Sequence, residues 1–311
     1  MIKNKPAMLK PNDTIGIVCP SYAHRNNERE NRLVALLEDM GFLVKFGRSC
    51  SLKQGYLAGS DEERANDLME MFENDEIKGI LAMLGGYGTT RMVDLIDYDR
   101  VSKHPKLFMG YSDITVLLNA LYQKANIPCA HGPDGYTIAN PKADVFTDRD
   151  FKEFLTTNDL RTLENPLKDA ITLNKGIAEG TIVGGNLSLI DSLIGTPYDI
   201  DFNGNIVFIE DIGEEPYRLD RMFSKLRLSG KLHQASGYVL GYFTGCEAGE
   251  SKKDTQTKED ILREYFLPLG VPTIMNFSSG HEFPFITIPI GLQGRLDADA
   301  KKIHCLEPFY K

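Results

Sequence analysis

A serine, a histidine and a carboxylate can together carry out nucleophilic hydrolysis, and this sequence contains candidates for all three. Ser112 lies in FMGYSDITVL, at residues 108–117, between one apolar run and the next. At a sharp turn from a strand into a helix, a serine hydroxyl can act as a nucleophile when a base takes its proton. The same position is typical of a helix N-cap supplied by Ser112 or Asp113. The GxSxG pattern of a nucleophile turn is not met, because Ile114 occupies its last position.

The base for such a serine is commonly a histidine, which in turn needs a carboxylate to orient it. The chain has six histidines: His24, His104, His131, His233, His281 and His304. His281 stands out because NFSSGHEFPFITIPIG sets it in a serine- and glycine-containing turn between two predicted strands, from which its ring could project. His131, in CAHGP, also lies at the end of a predicted strand and is the main alternative.

The orienting carboxylate is best sought in one acidic segment. NIVFIEDIGEEPYRLD contains four acids before its arginine: Glu210, Asp211, Glu214 and Glu215. Glu210 closes the predicted strand NIVFIE (205–210) after four apolar residues, where a charge is costly unless it has a partner. Acids at strand ends are also common in surface turns, so the residues alone leave the choice among these four open.

A glycine-rich segment, GGYG at residues 85–88, follows another predicted strand. Glycines allow a backbone to come close to a ligand, and their N–H groups could donate to an oxyanion. The segment does not complete the dinucleotide fingerprint GxGxxG, because Arg91 stands at the third glycine position. An oxyanion loop and a simple tight turn are therefore favoured over a dinucleotide site.

These candidates must be positioned by the elements around them. Strand-like runs alternate with helical segments through the first half of the chain, as in TIGIVCP, NRLVALLEDMG, FLVKFG, SDEERANDLMEMFEN, IKGILAML and KLFMG. Ser60 and Glu63 form a capping-box pattern at the start of one of the helices. This alternation predicts an α/β fold with a doubly wound parallel sheet. Ligands bind beyond the carboxyl ends of such strands, so GGYG and GYSD are predicted neighbours.

The pattern changes near residue 140, where the chain becomes polar and contains prolines. Strands and turns dominate from about residue 171 onward. We predict a nucleophile domain over residues 1–145, a connector over 146–170, and a smaller β-rich α+β domain over 171–311. The last of these contains His281 and the four acids at residues 210–215.

Composition excludes several classes of function. The 311 residues carry 35 basic and 44 acidic side chains, a net charge of −9, which disfavours nucleic acid and anionic membranes as partners. No apolar run approaches the roughly 18 residues of a membrane span, and no stretch resembles an export signal. The five cysteines are odd in number and contain no CxxC pair, which favours reduced thiols over a disulfide framework or a zinc site. We therefore expect a cytoplasmic enzyme that uses no metal.

Several separated motifs together resemble the LD-carboxypeptidase family of serine peptidases. They are, in chain order, GGYGTTRMVDLID, PKLFMGYSDITVLLNAL, HGP, GGNLSLIDSLIGTPYDID, IVFIEDIGEEPYRLDRMFSKL and SSGHEFPFITIPIG. The family includes muramoyltetrapeptide carboxypeptidases and microcin C self-immunity proteins. The resemblance extends over nearly the whole chain.

The resemblance implies a catalytic triad of Ser112, Glu210 and His281. It also implies that the backbone N–H groups of Gly86 and Asp113 form the oxyanion hole. A flavodoxin-like N-terminal domain, a homodimer and the absence of a cofactor are further family properties. The implied reaction is hydrolysis of the amide bond between the L-centre of a diamino acid, lysine or diaminopimelate, and the terminal D-alanine of a murein tetrapeptide.

Two branches of the family remain possible. The immunity proteins cleave a peptidyl-nucleotide amide and resemble one another in a serine-asparagine pair where this chain has Thr89 and Thr90, which favours a carboxypeptidase. Many carboxypeptidases, however, have an arginine where this chain has Leu84. Glu247 could bind the side-chain amine of the substrate, and Arg91 could face a substrate carboxylate. A non-catalytic, flavodoxin-like nucleotide-binding module is a further alternative.

Overall fold

The computed structural model describes residues 4–249 and 256–311. The chain divides into two compact units. Unit 1 comprises Met1–Asp159, Pro284–Gly291 and Pro308–Lys311, and the smaller unit 2 comprises Leu160–Phe283 and Leu292–Glu307. The predicted division gave all of residues 171–311 to the C-terminal domain, whereas two short C-terminal segments lie in unit 1.

Unit 1 is built on a six-stranded sheet. Its strands are β1 (Thr14–Val18), β2 (Leu43–Phe46), β3 (Ile77–Ala82), β4 (Leu107–Gly110), β5 (Cys129–His131) and β12 (Ile288–Ile290). The order across the sheet is β12-β5-β4-β3-β1-β2. Strands β1 to β5 are parallel, and their order is that of flavodoxin-like folds. Strand β12 adds an antiparallel edge beside β5.

Seven helices of unit 1 lie among the described residues. They are α1 (Asn27–Asp39), α2 (Asp61–Glu73), α3 (Thr89–Met92), α4 (Tyr98–Val101), α5 (Thr115–Ala125), α6 (Gly135–Ile138) and α7 (Val145–Thr156). The predicted capping box of α2 is confirmed, since Ser60 and Glu63 exchange side-chain and backbone hydrogen bonds. Helix α5 is buried along most of its length because its apolar residues cover several faces.

Unit 2 contains an eight-stranded mixed sheet. Its strands are β6 (Thr162–Glu164), β7 (Ile171–Asn174), β8 (Ile177–Asn186), β9 (Ile206–Ile212), β10 (Gly237–Thr244), β11 (Thr273–Met275), β13 (Gln293–Asp297) and β14 (Lys302–Cys305). The order is β6-β14-β13-β8-β9-β10-β11-β7. The four central strands, β8 to β11, are parallel, and the remaining pairs are antiparallel.

The helices of unit 2 follow its central strands. They are α8 (Leu187–Leu193), α9 (Pro216–Leu228) and α10 (Lys258–Phe266). The apolar residues of α9 recur at helical spacing and are buried, from Leu219 through Phe223 to Leu226. Strand β9 runs two residues beyond its predicted end at Glu210, so that this acid lies inside the strand. Across residues 4–249 and 256–311, none of the helices combines the length and the apolar character that crossing a bilayer requires.

Candidate active site

The turn between β4 and α5 holds Ser112 in a strained backbone conformation. Its φ is +61°, in the left-handed region that residues other than glycine and asparagine seldom adopt. Such strain costs on the order of 1–3 kcal/mol and is often found at functional sites. The turn therefore has the backbone character of a nucleophile turn, although Ile114 breaks the sequence pattern of one.

The helix-capping hypothesis for this turn is wrong. Residues Ser112–Ile114 form a single 3₁₀ turn before α5. No side chain caps the first residues of this turn or of α5 by a hydrogen bond. An N-cap residue needs extended backbone angles, which the positive φ of Ser112 excludes. The Asp113 carboxylate bonds to Ser21 and Thr89 instead of to the start of the helix.

The glycine-rich segment lies directly against this turn, which confirms the prediction that the two are neighbours. A Cβ placed on Gly85 would be 3.0 Å from the Cβ of Ser112. Gly86 has a φ of +113°, and a Cβ there would be 2.4 Å from the ring of Tyr22. A larger residue at position 86 would therefore be strained in both backbone and packing, so the close approach requires glycine.

Asp113 ties the glycine-rich segment to the turn. Its side chain is fully buried and accepts hydrogen bonds from the Ser21 hydroxyl at 2.5 Å and the Thr89 backbone N–H at 2.9 Å. The Thr89 hydroxyl donates to the Asp113 carbonyl at 2.6 Å. Burial raises the pKa of Asp113, while the hydrogen bonds from Ser21 and Thr89 oppose that rise.

Unit 2 brings together two further predicted residues. His281 Nδ1 and Glu210 Oε2 are 2.7 Å apart, with Glu210 fully buried and the His281 side chain 11% exposed. A carboxylate can only accept here, so Nδ1–H donates and the lone pair of the neutral ring lies on Nε2. A Cβ on Gly280 (φ +129°) would be 3.0 Å from Glu210 Oε2, so glycine lets the histidine turn approach β9. This histidine–carboxylate pair has the geometry of a general base and its orienting group.

A second buried acid adjoins this pair. Asn186, at the register position opposite Glu210, donates to Glu210 Oε1 at 3.3 Å and to Asp211 Oδ1 at 3.0 Å. Asp211 also accepts from the backbone N–H and the hydroxyl of Ser188. Burial and the charge of Glu210 raise the pKa of Asp211 to about 6. The amide of Asn186 thus links two neighbouring carboxylates.

The rival candidates have other surroundings. His131 is fully buried in β5, and its ring contacts those of Tyr111 and Phe285, so it does not project from a loop. Glu214 forms an ion pair with Arg218 at 3.4 Å. Glu215 precedes α9 as its N-cap residue, without a side-chain cap bond.

The two residues suggested for substrate recognition are engaged in ion pairs. Arg91 binds the carboxylate of Asp61 through Nε and Nη2, at 2.9–3.1 Å. Glu247 accepts from Lys258 Nζ at 2.6 Å, with its side chain 62% exposed. Their roles toward a substrate stay predictions.

Sequence reasoning missed four polar residues around these candidates. They are Ser21, Arg64, Asn186 and Asp113. For Asp113, the sequence indicates a role for the backbone N–H but not the contacts of its side chain. A signal was available for Ser21, which lies just beyond β1, and for Asn186, which is the last residue of β8. Arg64 lies inside the regular helix α2, where no such signal exists. Among residues 4–249 and 256–311, no group of three or more His, Cys, Asp or Glu side chains is arranged to hold a metal ion.

Several known proteins resemble this chain over nearly its whole length. The chain is 39% identical over 298 residues to a protein of Bacillus subtilis (strain 168) named a probable murein peptide carboxypeptidase, covering 96% of this chain and 92% of that protein. A muramoyltetrapeptide carboxypeptidase from Oxalobacter formigenes has a similar structure, with a TM-score of 0.83, 30% identity, and coverage of 94% and 97%. A structure of MccF in complex with glutamyl sulfamoyl guanosine matches with a TM-score of 0.90, 25% identity, and coverage of 99% and 100%.

Two domain models account for most of the sequence. The LD-carboxypeptidase N-terminal domain model matches residues 15–132, which include the serine turn and the glycine-rich segment. The LD-carboxypeptidase C-terminal domain model matches residues 179–296, which include the histidine–glutamate pair. The chain belongs to the LD-carboxypeptidase family.

Proposed function

We propose that this protein is a serine-type LD-carboxypeptidase. It would hydrolyse the amide bond between the L-centre of a diamino acid, lysine or diaminopimelate, and the terminal D-alanine of a murein tetrapeptide. The observation that carries the proposal is the hydrogen bond between His281 and the buried Glu210, in a chain of this family. The name of the Bacillus subtilis relative supports a murein peptide as the substrate.

In the proposed mechanism, His281 Nε2 takes the proton of the Ser112 hydroxyl as its oxygen attacks the scissile carbonyl. Glu210 holds the ring tautomer and stabilises the imidazolium that forms. The backbone N–H groups of Gly86 and Asp113 stabilise the oxyanion, a contribution of about 3–4 kcal/mol per donor in other serine hydrolases. His281 then protonates the leaving D-alanine amine. Water, activated by the same ring, releases the acyl group from Ser112.

The second candidate is hydrolysis of a peptidyl-nucleotide amide, as expected of a microcin C self-immunity protein. The observation in its favour is the structural similarity to MccF bound to glutamyl sulfamoyl guanosine. Thr89 and Thr90 stand where the immunity proteins have a serine-asparagine pair. The chain is 39% identical to the Bacillus subtilis protein named a probable murein peptide carboxypeptidase and 27% identical to the microcin C7 self-immunity protein of Escherichia coli. We therefore favour the carboxypeptidase.

Recognition of the substrate ends is part of the proposal. Glu247 would replace its contact with Lys258 by a contact with the side-chain amine of the diamino acid, because the lysine and the substrate amine are both cationic. Arg91 would face a substrate carboxylate while it keeps part of its contact with Asp61. The resemblance to the family further supports a cytoplasmic homodimer that acts in peptidoglycan recycling.

The test is to incubate the protein with a murein tetrapeptide and to follow the loss of one alanine by mass spectrometry. A peptidyl sulfamoyl nucleoside is offered in parallel. Wild-type protein should release D-alanine, and Ser112→Ala and His281→Ala should each lower the rate by at least about 10³-fold while the protein stays folded. An intact tetrapeptide beside a cleaved nucleoside conjugate would favour the second candidate, and no cleavage of either would contradict both.

A further inference from the structure

Two segments flank the Ser112 turn in unit 1, and the same two side chains contact both of them. One segment is Pro20–Ser21, after β1, and the other is Gly88–Thr89, at the end of the glycine-rich segment. Arg64 Nη1 donates to the carbonyls of Pro20 at 2.5 Å and Gly88 at 2.9 Å. The Asp113 carboxylate accepts from the next residue of each segment, the Ser21 hydroxyl and the Thr89 N–H.

Both of these side chains are buried. Arg64 is 1% exposed and Asp113 is fully buried, and a Cβ on Gly88 would lie 3.0 Å from Arg64 Nη1. Their opposite charges favour each other, and Arg64 also pairs with Asp61 one turn earlier in α2. Buried charges are costly even when paired, and apolar side chains of similar volume would often stabilise a core at least as well. Filling space alone therefore does not account for them.

Hydrogen bonds that involve charged side chains are directional, so they fix the positions of the two segments more tightly than apolar contacts could. The second segment ends the loop that contains Gly86, whose N–H is one proposed oxyanion donor. The other donor is the N–H of Asp113 itself. One residue would thus supply an oxyanion donor from its main chain and hold the loop of the other donor with its side chain.

We propose that Arg64 and Asp113 are positioning residues, which hold the glycine-rich segment and the Ser112 turn in the relative orientation that the oxyanion requires. This inference rests on the proposed function of Ser112. It extends that function to Arg64, a helix residue outside the motifs of the site. Misplacing an oxyanion donor by about 1 Å costs on the order of 10²-fold in rate, so the expected effect lies in kcat.

The first experiment measures kcat and KM of the full-length protein for murein tetrapeptide. Arg64→Met and Asp113→Leu remove the contacts at similar volume, and each should lower kcat by about 30- to 300-fold with KM within about threefold of wild type. Asp113→Asn keeps an acceptor oxygen, so its kcat should be at least about tenfold higher than that of Asp113→Leu. Ser21→Ala, a milder change, should lower kcat by about three- to tenfold.

The matched control is a substitution at Asp150, another buried carboxylate of unit 1. Asp150 accepts a hydrogen bond from the backbone N–H of Thr287 at 2.8 Å. Asp150→Leu should lower the unfolding temperature but leave kcat near wild type. Folded Arg64→Met and Ser21→Ala variants with wild-type kcat would overturn the inference, even if Asp113→Leu fails to fold.

The second experiment separates positioning from a general structural effect. A peptide aldehyde adds the Ser112 hydroxyl across its C=O to form a hemiacetal, whose oxygen tests the oxyanion hole. The affinity of the enzyme for the aldehyde should fall in proportion to kcat across the variants. The Kd for uncleaved tetrapeptide, measured in double variants that also carry Ser112→Ala, should stay constant. A parallel loss of both affinities would overturn the inference.

Hydrogen exchange provides a readout that does not depend on activity. Amide exchange in a peptide covering residues 84–92 should be faster in Arg64→Met than in wild type and unchanged in Asp150→Leu. Unchanged exchange in Arg64→Met would overturn the inference. If wild-type protein cleaves neither substrate, the proposed function fails, and the inference about Arg64 and Asp113 fails with it. If wild type is active, Ser112→Ala is inactive and Arg64→Met is as fast as wild type, the inference alone fails.

Discussion

At the scale of single residues, the proposed function depends on the surroundings of Glu210 inside unit 2. Its carboxylate is fully buried, and it accepts from His281 and from Asn186. These two donors offset the loss of solvation that burial imposes on a charge. A buried carboxylate with such partners is suited to hold one tautomer of the ring and to stabilise its protonated form.

We predict that Glu210→Gln lowers kcat for tetrapeptide hydrolysis by about 10³- to 10⁴-fold, with little change in KM. The amide keeps the size of the side chain but has no charge and can present N–H₂ to the ring, which favours the wrong tautomer. The measurement is steady-state release of D-alanine. Glu214→Gln is the control and should retain near wild-type kcat, because Glu214 pairs with Arg218 instead. The reverse ranking of these two variants would show that the orienting residue is Glu214.

A second residue-scale prediction concerns the pH dependence of stability. Burial and the charge of Glu210 raise the pKa of Asp211 from 3.8 to about 6. Between about pH 4 and 6 the folded state therefore binds more protons here than the unfolded state, so this residue's contribution to stability falls as pH rises, by roughly 3 kcal/mol in total.

Asp211→Asn should remove that pH dependence. The free energy of unfolding of the wild type minus that of the variant should decrease from pH 4 to 7 when both are measured by urea denaturation. Taking the difference cancels the opposite trend of carboxylates whose pKa is lowered in the fold. Parallel profiles for the two proteins would contradict the raised pKa of Asp211.

The motifs of the sequence pointed to Glu210 and His281, and the structure brings these two together. What the sequence could not reveal are residues whose importance depends on contacts far along the chain. Arg64 contacts Pro20, 44 positions away, from a helix whose sequence is otherwise ordinary. Local rules favour a helix cap for the side chain of Asp113, but the buried Ser21 hydroxyl and the Thr89 backbone N–H, from two other loops, compete more strongly.

At the scale of elements, two adjacent strand ends shape the region around Ser112. The turn after β4 contains Ser112 at a positive φ, and the segment after β3 contains Gly86 and Gly88, also at positive φ. The alternation of strands and helices predicted both locations correctly. The backbone angle of Ser112 was not predictable, because serine carries no local preference for the left-handed region and packing around the turn imposes it.

We predict that Gly86→Ala lowers kcat by at least about 10²-fold, because the new Cβ would meet the Tyr22 ring at 2.4 Å in a backbone already at φ +113°. The loop would have to shift, and with it the proposed oxyanion donor. Gly55→Ala is the matched control, since Gly55 has a φ of +65° but nothing within 4 Å of the added Cβ. The control should lose about 1 kcal/mol of stability and keep its activity. Equal kinetic effects in the two variants would contradict a specific role for the Gly86 loop.

At the scale of the whole molecule, the chain returns to unit 1 at residues 284–291, before the last two strands of unit 2, and again at residues 308–311. Residues 284–291 supply β12 at the edge of the unit 1 sheet, beside β5. The sequence predicted a strand at FITIPI but assigned it to the C-terminal domain, because chain order is the default guide to domain membership. Pairing between Ile288 and His131 spans more than 150 positions, and no local pattern encodes it.

We therefore predict that residues 1–159 alone do not form a stable unit 1. The returning segment buries Phe285, Ile286, Ile288 and Ile290, each at most 1% exposed. At about 1.5–3 kcal/mol per buried side chain, their loss removes roughly 6–12 kcal/mol, comparable to the whole stability of a domain. It also leaves β5 as an unpaired edge. Joining residues 284–291 to this fragment through a flexible linker should restore a cooperative urea transition, whereas the same fusion carrying Ile288→Asp and Ile290→Asp should not. A cooperative transition at the same urea midpoint for the fragment without this segment would show that β12 is dispensable for unit 1.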